Sequence, residues 1–98
     1  MDYIILYYIH NHMEENIIDD LAYIKSSKNR YRVLRSLIEG IKIPSEISKE
    51  TDIRLNHVSA LLSDLKEKDY VLCLNENYTK GRMYTLTEKG KSVINMLG

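Results

Sequence analysis

Residues 43–70 read IPSEISKETDIRLNHVSALLSDLKEKDY, and the fold is decided there. Pro44 suits an early helical position, where its missing N–H is one of the donors a first turn leaves free anyway. The first helix is expected from Pro44 to about Glu50, with Ile43 and Ile47 four residues apart on one face. Thr51 and Asp52 then break the pattern, and aspartate tolerates the left-handed backbone that a helix end often needs. A second helix is expected from about Asn56 to Lys68. Within it Val58, Leu61, Leu62 and Leu65 recur at spacings of three and four, which makes one apolar stripe. The opposite face holds Asn56, His57, Ser59, Ala60, Ser63, Lys66 and Glu67, small and polar groups that can donate and accept hydrogen bonds. Two short helices joined at a tight corner are a helix-turn-helix pattern.

Downstream the chain continues KEKDYVLCLNENYTKGRMYTLTEKGKSVINML over residues 66–97. Val71–Leu74 and Met83–Leu86 alternate in polarity as the two strands of a hairpin. The loop between them, Asn75 to Arg82, is polar and turn-forming and carries Lys80 and Arg82. Thr87 is placed to cap a last helix, whose stripe is Val93, Ile94 and Leu97. Upstream, Ser26 or Ser27 caps a helix with Tyr31, Val33, Leu34, Leu37 and Ile38 inward and Lys28, Arg30, Arg32 and Arg35 outward, ended by Gly40. Ile41 and Ile43 are expected to add a short strand to the hairpin. Ile17, Ile18, Leu21 and Ile24 mark a further short helix, with Asp19 and Asp20 in its first turn, where the helix dipole favours negative charge.

These elements, in this order, resemble the winged-helix transcriptional regulators. In those families a recognition helix ends in a stretch like L-x-x-x-G-h-V, followed by a hairpin and then Y-x-L-T-x-x-G. The matching residues here are Leu65, Asp69, Tyr70 and Val71, then Tyr84, Leu86, Thr87 and Gly90. The Ser27–Asn29–Arg30 run before Val33–Leu34–Leu37–Ile38 is similar to the first helix of that domain. The resemblance covers roughly residues 18–98 and extends equally to the MarR-like and ArsR-like groups. It implies an α+β fold that is mostly α, a winged helix-turn-helix with a two-stranded β-wing and flanking N- and C-terminal helices. It also implies a small homodimeric transcriptional regulator that binds double-stranded DNA in a sequence-specific way.

Ninety-eight residues fit one domain with a modest core. No apolar run approaches the ~20 residues of a membrane span, so no membrane partner is expected. No basic leader with a small-residue cleavage site stands at the N-terminus. A single cysteine cannot form an intrachain disulfide, and a reducing cytoplasm is the expected compartment. The net charge of zero hides an asymmetry: residues 1–24 carry −5 and residues 25–98 carry +5. A mildly basic domain behind an acidic segment suits nucleic-acid binding, although solvated surfaces often carry this much charge.

The chain divides at residue 16. Before it lies an apolar segment, DYIILYYIHNHM at residues 2–13, in which Ile4, Ile5, Tyr8, Ile9 and His12 fall at helical spacing. The alternation fits a strand nearly as well. A helix is the reading adopted, with a dimer contact expected because exposed apolar patches mark interfaces; packing onto its own domain is the plainer alternative. Residues 17–98 form the winged domain.

No glycine-rich phosphate loop and no nucleophile with a base at usable spacing is present, so no enzyme and no cofactor is expected. His10 and His12 with Glu14 or Glu15 are weak metal-ligand spacing, and no metal is expected there. Cys73, between Leu72 and Leu74, is expected as core filler. What remains is DNA reading. Asn56, His57, Ser59 and Ser63 face outward on the second helix, where they can meet base edges, with Asn56 suited to adenine. Arg54 precedes that helix within reach of a phosphate or a guanine, and Ser45 stands at the start of the first helix beside free amides. Lys80 and Arg82 supply salt-dependent attraction from the wing. Plain solvation is the competing account of each polar group. Two alternatives stay open: a winged-helix protein-interaction module within a larger assembly, since fold alone does not decide, and a metal- or ligand-responsive sensor.

Overall fold

The computed structural model describes residues 17–98. Residues 17–25 are helical (α1). Then follow α2 (Lys28–Ser36), a single 3-10 turn (Leu37–Glu39), α3 (Pro44–Thr51), α4 (Leu55–Glu67), β1 (Val71–Cys73), β2 (Tyr84–Leu86) and α5 (Glu88–Leu97). This is a winged helix-turn-helix, mostly helical, with a two-stranded antiparallel wing. The N-terminal segment, with its expected dimer contact and its two histidines, lies outside the described residues.

Local chemistry explains the boundaries. Ser27 caps α2 by accepting from the Arg30 N–H at 3.2 Å, and Thr87 caps α5 by accepting from the Gly90 N–H at 3.0 Å. Glu46 reaches back to the Ile43 N–H at 3.0 Å, half of a capping box, since isoleucine has no acceptor to complete it. α3 stops at Asp52, which takes the left-handed conformation at φ 59°. The Ser48 hydroxyl donates to the Ile53 carbonyl at 2.5 Å and fixes the corner before α4 begins.

The core lies where α2, α3 and α4 meet and continues under the wing to α5. Val58, Leu61, Leu62 and Leu65 are all buried, as the stripe predicts, against Val33, Leu34, Ile47, Val71 and Ile94. Each fully buried aliphatic contributes roughly 1.5–3 kcal/mol by leaving water.

The α4–β1 corner packs on α5 through backbone. Asp69 sits at φ 68°, where the related motif has glycine. Thr87 donates from its N–H to the Tyr70 carbonyl at 3.1 Å and from its hydroxyl to the Asp69 carbonyl at 2.6 Å. Gly90 lies so close that a Cβ there would stand 2.1 Å from the Tyr70 oxygen. That contact gives the motif glycine its physical reason.

Several expectations need correction. Ile38 and Ile18 are exposed, at 51% and 62%. After Leu37 the backbone tightens to three residues per turn, so the 3.6-residue period no longer carries Ile38 to the core. In α1 the inward face is set by Ile17, Leu21 and Ile24, and Ile18 lies off it. The third strand is reduced to one bridge, in which Lys42 and Tyr84 exchange backbone hydrogen bonds of 3.1 and 2.9 Å. Cys73 is half-buried and packs against the edge of the core, with its thiol 3.6 Å from the Asn75 side-chain oxygen.

Of the arginines of α2, Arg35 is exposed as expected, while Arg30 and Arg32 are half-buried, and all three side chains are hydrogen-bonded. Arg30 lies over the Tyr23 ring at 3.8 Å and donates to the Tyr23 carbonyl and, at 3.0 Å, to Ser26. Arg32 donates to the Thr51 carbonyl at the end of α3, and Arg35 to the Gly98 carbonyl and, at 3.1 Å, to the Tyr31 hydroxyl. Tyr23 stacks on Tyr70 at 5.6 Å, and Lys89 covers the Tyr70 ring at 4.4 Å. The Tyr70 hydroxyl donates to Asp20 at 2.6 Å, which ties α1 to the domain.

Candidate nucleic-acid interface

α3 and α4 pack against each other, and the wing loop comes up on the other side of α4. Between the start of α3, one face of α4 and the wing lies a concavity of about 610 Å³. Leu55, Ser59, Ser63 and Lys66 line it from α4, at spacings of four, four and three, so they are one helix face. Ser45 and Pro44 contribute from α3, and Thr79, Lys80, Gly81 and Arg82 from the wing. The cleft therefore gathers five of the expected residues: Ser45, Ser59, Ser63, Lys80 and Arg82.

The other three, Arg54, Asn56 and His57, stand outside the cleft on the exposed first turn of α4. Arg54 occupies the N-cap position without a side-chain cap bond. The Asn56 side-chain oxygen accepts from the His57 N–H at 3.0 Å, leaving its amide N–H groups facing outward without a partner among the described residues. That arrangement weakens the expectation of a two-bond pairing with adenine, which needs oxygen and nitrogen together.

The two wing cations differ. Lys80 is exposed and has no partner among the described residues. Arg82 is turned into its own loop, donating from Nε to the Tyr78 carbonyl at 2.6 Å and from Nη2 to the Glu76 carbonyl at 3.0 Å. Asn75 helps it, accepting from the Met83 N–H at 2.8 Å and donating to the Gly81 carbonyl at 3.2 Å. Arg82 is a brace for the wing, with its remaining charge facing the cleft.

Two residues of α4 outside the expected set belong to the cleft. Leu55 is half-exposed at its mouth, an apolar group on an otherwise small and polar face. Lys66 pairs with Glu76 across the gap between α4 and the wing. The hydrogen bond to Glu76 raises the Lys66 pKa, and the same bond holds the Glu76 carboxyl below the usual carboxylate range. Spacing alone puts both on the cleft face, four residues before Ser59 and three after Ser63.

Behind the cleft is Lys42, nearly buried, which donates to the Ser36 carbonyl at 2.6 Å and pairs with Glu50 at 2.6 Å and Glu39 at 3.3 Å. Burial works to lower its pKa, but the hydrogen bonds and charges of Glu50 and Glu39 outweigh that and hold it above the ordinary lysine value. No group of three or more potential metal ligands occurs among the described residues, and none of their helices is long and apolar enough to cross a membrane.

No family model and no curated protein matches the sequence. Solved structures do. TubR from Bacillus thuringiensis serovar israelensis pBtoxis, bound to 24 bp of tubC, is 15% identical, with 83% of this chain and 90% of that chain covered and a TM-score of 0.73. The transcriptional repressor BigR from Xylella fastidiosa is 25% identical over 90% of this chain and 88% of that one, with a TM-score of 0.69. A mutant MarR from E. coli complexed with operator DNA is 22% identical over 93% of this chain and 67% of that one, with a TM-score of 0.65.

Proposed function

We propose that this chain, which has the winged helix-turn-helix fold of the MarR-family regulators, binds duplex DNA sequence-specifically as a small homodimeric transcriptional regulator. The observation that carries this reading is the convergence of Ser45, Ser59, Ser63 and Lys80 on one cleft, beside the exposed Arg54, Asn56 and His57. In it, α4 enters the major groove: Asn56, His57, Ser59 and Ser63 address base edges, and Arg54 reaches a guanine or a phosphate. Ser45 and the free amides of the first turn of α3 hold a phosphate. Lys80 adds the salt-dependent attraction, and Arg82 keeps the wing in shape while it does so. In a dimer, two copies of α4 meet half-sites about one helical turn apart. Two solved structures of similar fold, TubR bound to tubC and MarR complexed with operator DNA, support the reading.

The test is fluorescence anisotropy of labelled random-sequence duplex with the purified chain, stepped from low to moderate salt. Binding that falls steeply with salt is expected. Against a sequence selected from a random pool, Arg54→Ala combined with Asn56→Ala is expected to weaken affinity by about tenfold or more, the value of one good base contact. Absence of binding at low salt would reject the reading. One feature favours a second account, a protein-interaction module. Leu72, Leu74 and Met83 leave an exposed apolar strip on the outer face of the wing. That account predicts no salt-sensitive DNA binding.

A further inference from the structure

We infer that Glu76 stands in, from within the chain, for a DNA phosphate: it holds Lys66 in an ion pair at the edge of the cleft and competes with the duplex for that lysine. The inference rests on the DNA reading and adds to it a binding residue and its built-in competitor. Lys66 is on the cleft face of α4, one turn beyond Ser63, and it is only partly exposed, at 39% of its side chain. The Glu76 carboxylate comes to it from the wing loop, and Arg82 donates to the backbone of the same residue. The pair bridges the gap between α4 and the wing at the edge of the cleft, and a phosphate crossing from α4 to the wing would meet the same Lys66 together with Arg82, which also lines the cleft. The Glu76 carboxyl is held below its ordinary pKa first by Lys66, against an opposing effect of burial and with the least help from Arg82, which agrees with that setting.

The other carboxylates near this end of α4 behave differently. Asp64 and Glu67 are exposed and make no ion pair among the described residues. Pairs between partly exposed side chains are weak, so a phosphate arriving with its neighbours already bound displaces Glu76 readily. A duplex that does not seat fully in the cleft finds Lys66 already neutralised. Glu76 therefore lowers indiscriminate binding more than it lowers binding of a well-seated site.

The full chain tests this in four forms: wild type, Glu76→Gln, Lys66→Gln and the double variant, each titrated into random-sequence duplex at stepped salt. Glu76→Gln is expected to tighten binding about three- to tenfold at low salt and to steepen the logarithmic salt slope by about 0.9, one further phosphate neutralised. In the Lys66→Gln background the same substitution is expected to change nothing. Glu67→Gln measures the general effect of losing one negative charge at this end of α4. Weaker binding of Glu76→Gln overturns the inference, because the pair would then position the wing rather than compete. An equal gain in both backgrounds overturns it as well. If neither the wild type nor Glu76→Gln binds at low salt, the DNA reading itself falls, an outcome distinct from binding that Glu76 does not influence.

Discussion

The helix-turn-helix frame and the wing loop are held by groups of different reach, short ones in the frame and long side chains in the wing. At the α3–α4 corner and the α4–β1–α5 junction, backbone groups and short hydroxyls carry the contacts: the Ser48 hydroxyl to the Ile53 carbonyl, the Thr87 hydroxyl and N–H to the Asp69 and Tyr70 carbonyls, Gly90 against the Tyr70 oxygen. In the wing, the loop between the strands is shaped by side chains, those of Arg82, Asn75 and the Lys66–Glu76 pair. A frame set by backbone groups and hydroxyls one carbon from the chain resists deformation, because moving one group moves the element that carries it. A loop set by exposed side chains gives way one rotamer at a time. The contrast teaches that the face of α4 is offered in a fixed position, while the wing beside it adjusts.

The frame is broken most severely at Gly90. Gly90→Ala drives a methyl into the Tyr70 carbonyl, which cannot rotate aside, and is expected to cost about 3 kcal/mol. A urea midpoint lowered with an unchanged slope would register it; a wild-type midpoint would mean that the α5–β1 junction is slack.

Tyr70→Phe is a gentler probe of the same frame. It removes the bond to Asp20 and is expected to cost about 1 kcal/mol. Burial first, then the Asp20 bond, raises the Tyr70 hydroxyl above its ordinary 10.0. The sign follows: the folded state favours the neutral phenol, so its contribution is whole below pH 10.0 and is lost as pH rises beyond it. Thermal melts between pH 9 and 11.5 are expected to decline more steeply for wild type than for the phenylalanine variant (the window is roughly the usual tyrosine range). Parallel declines would remove Tyr70 as the cause.

The smallest stability effect belongs to the wing. Arg82→Ala is expected to shift unfolding by less than about 0.5 kcal/mol, as for a surface substitution. Its effect is expected instead in the DNA titration, as weaker binding to all sequences. A loss of stability as large as that from Gly90→Ala would erase the distinction between frame and wing.

Much of this arrangement was legible in the sequence. The α4 stripe, the left-handed Asp52, the caps at Ser27 and Thr87 and the hairpin all follow from local rules, and each element obeys them within a residue or so. The grouping of Ser45, Ser59, Ser63, Lys80 and Arg82 followed from the order of elements. What stayed hidden depends on which element lies across from which. Arg32 meets a carbonyl nineteen residues away, and Arg35 one sixty-three residues away. Periodicity assigns both to an outer face and has no means of placing α3 or the end of α5 above it. Lys42 was missed for the same reason. A lysine beside a turn reads as solvated until Glu39, Glu50 and the Ser36 carbonyl close around it.

The bridge between Lys42 and Tyr84 has a mechanical consequence. It binds Lys42, two residues before α3, to the wing by paired backbone bonds, whereas the other side of the cleft is held by a single pair of side-chain tips. The cleft is bound like a book along one spine. Its compliance is one-sided: the wing swings about the Tyr84 end while α3 and α4 keep their places. For a duplex lying on this face, groove width and backbone path vary with sequence. Such variation would be taken up by the angle of the wing and would leave the depth of α4 unchanged. Shape and base sequence would then be read by separate parts of the molecule, and a change in one reading need not disturb the other.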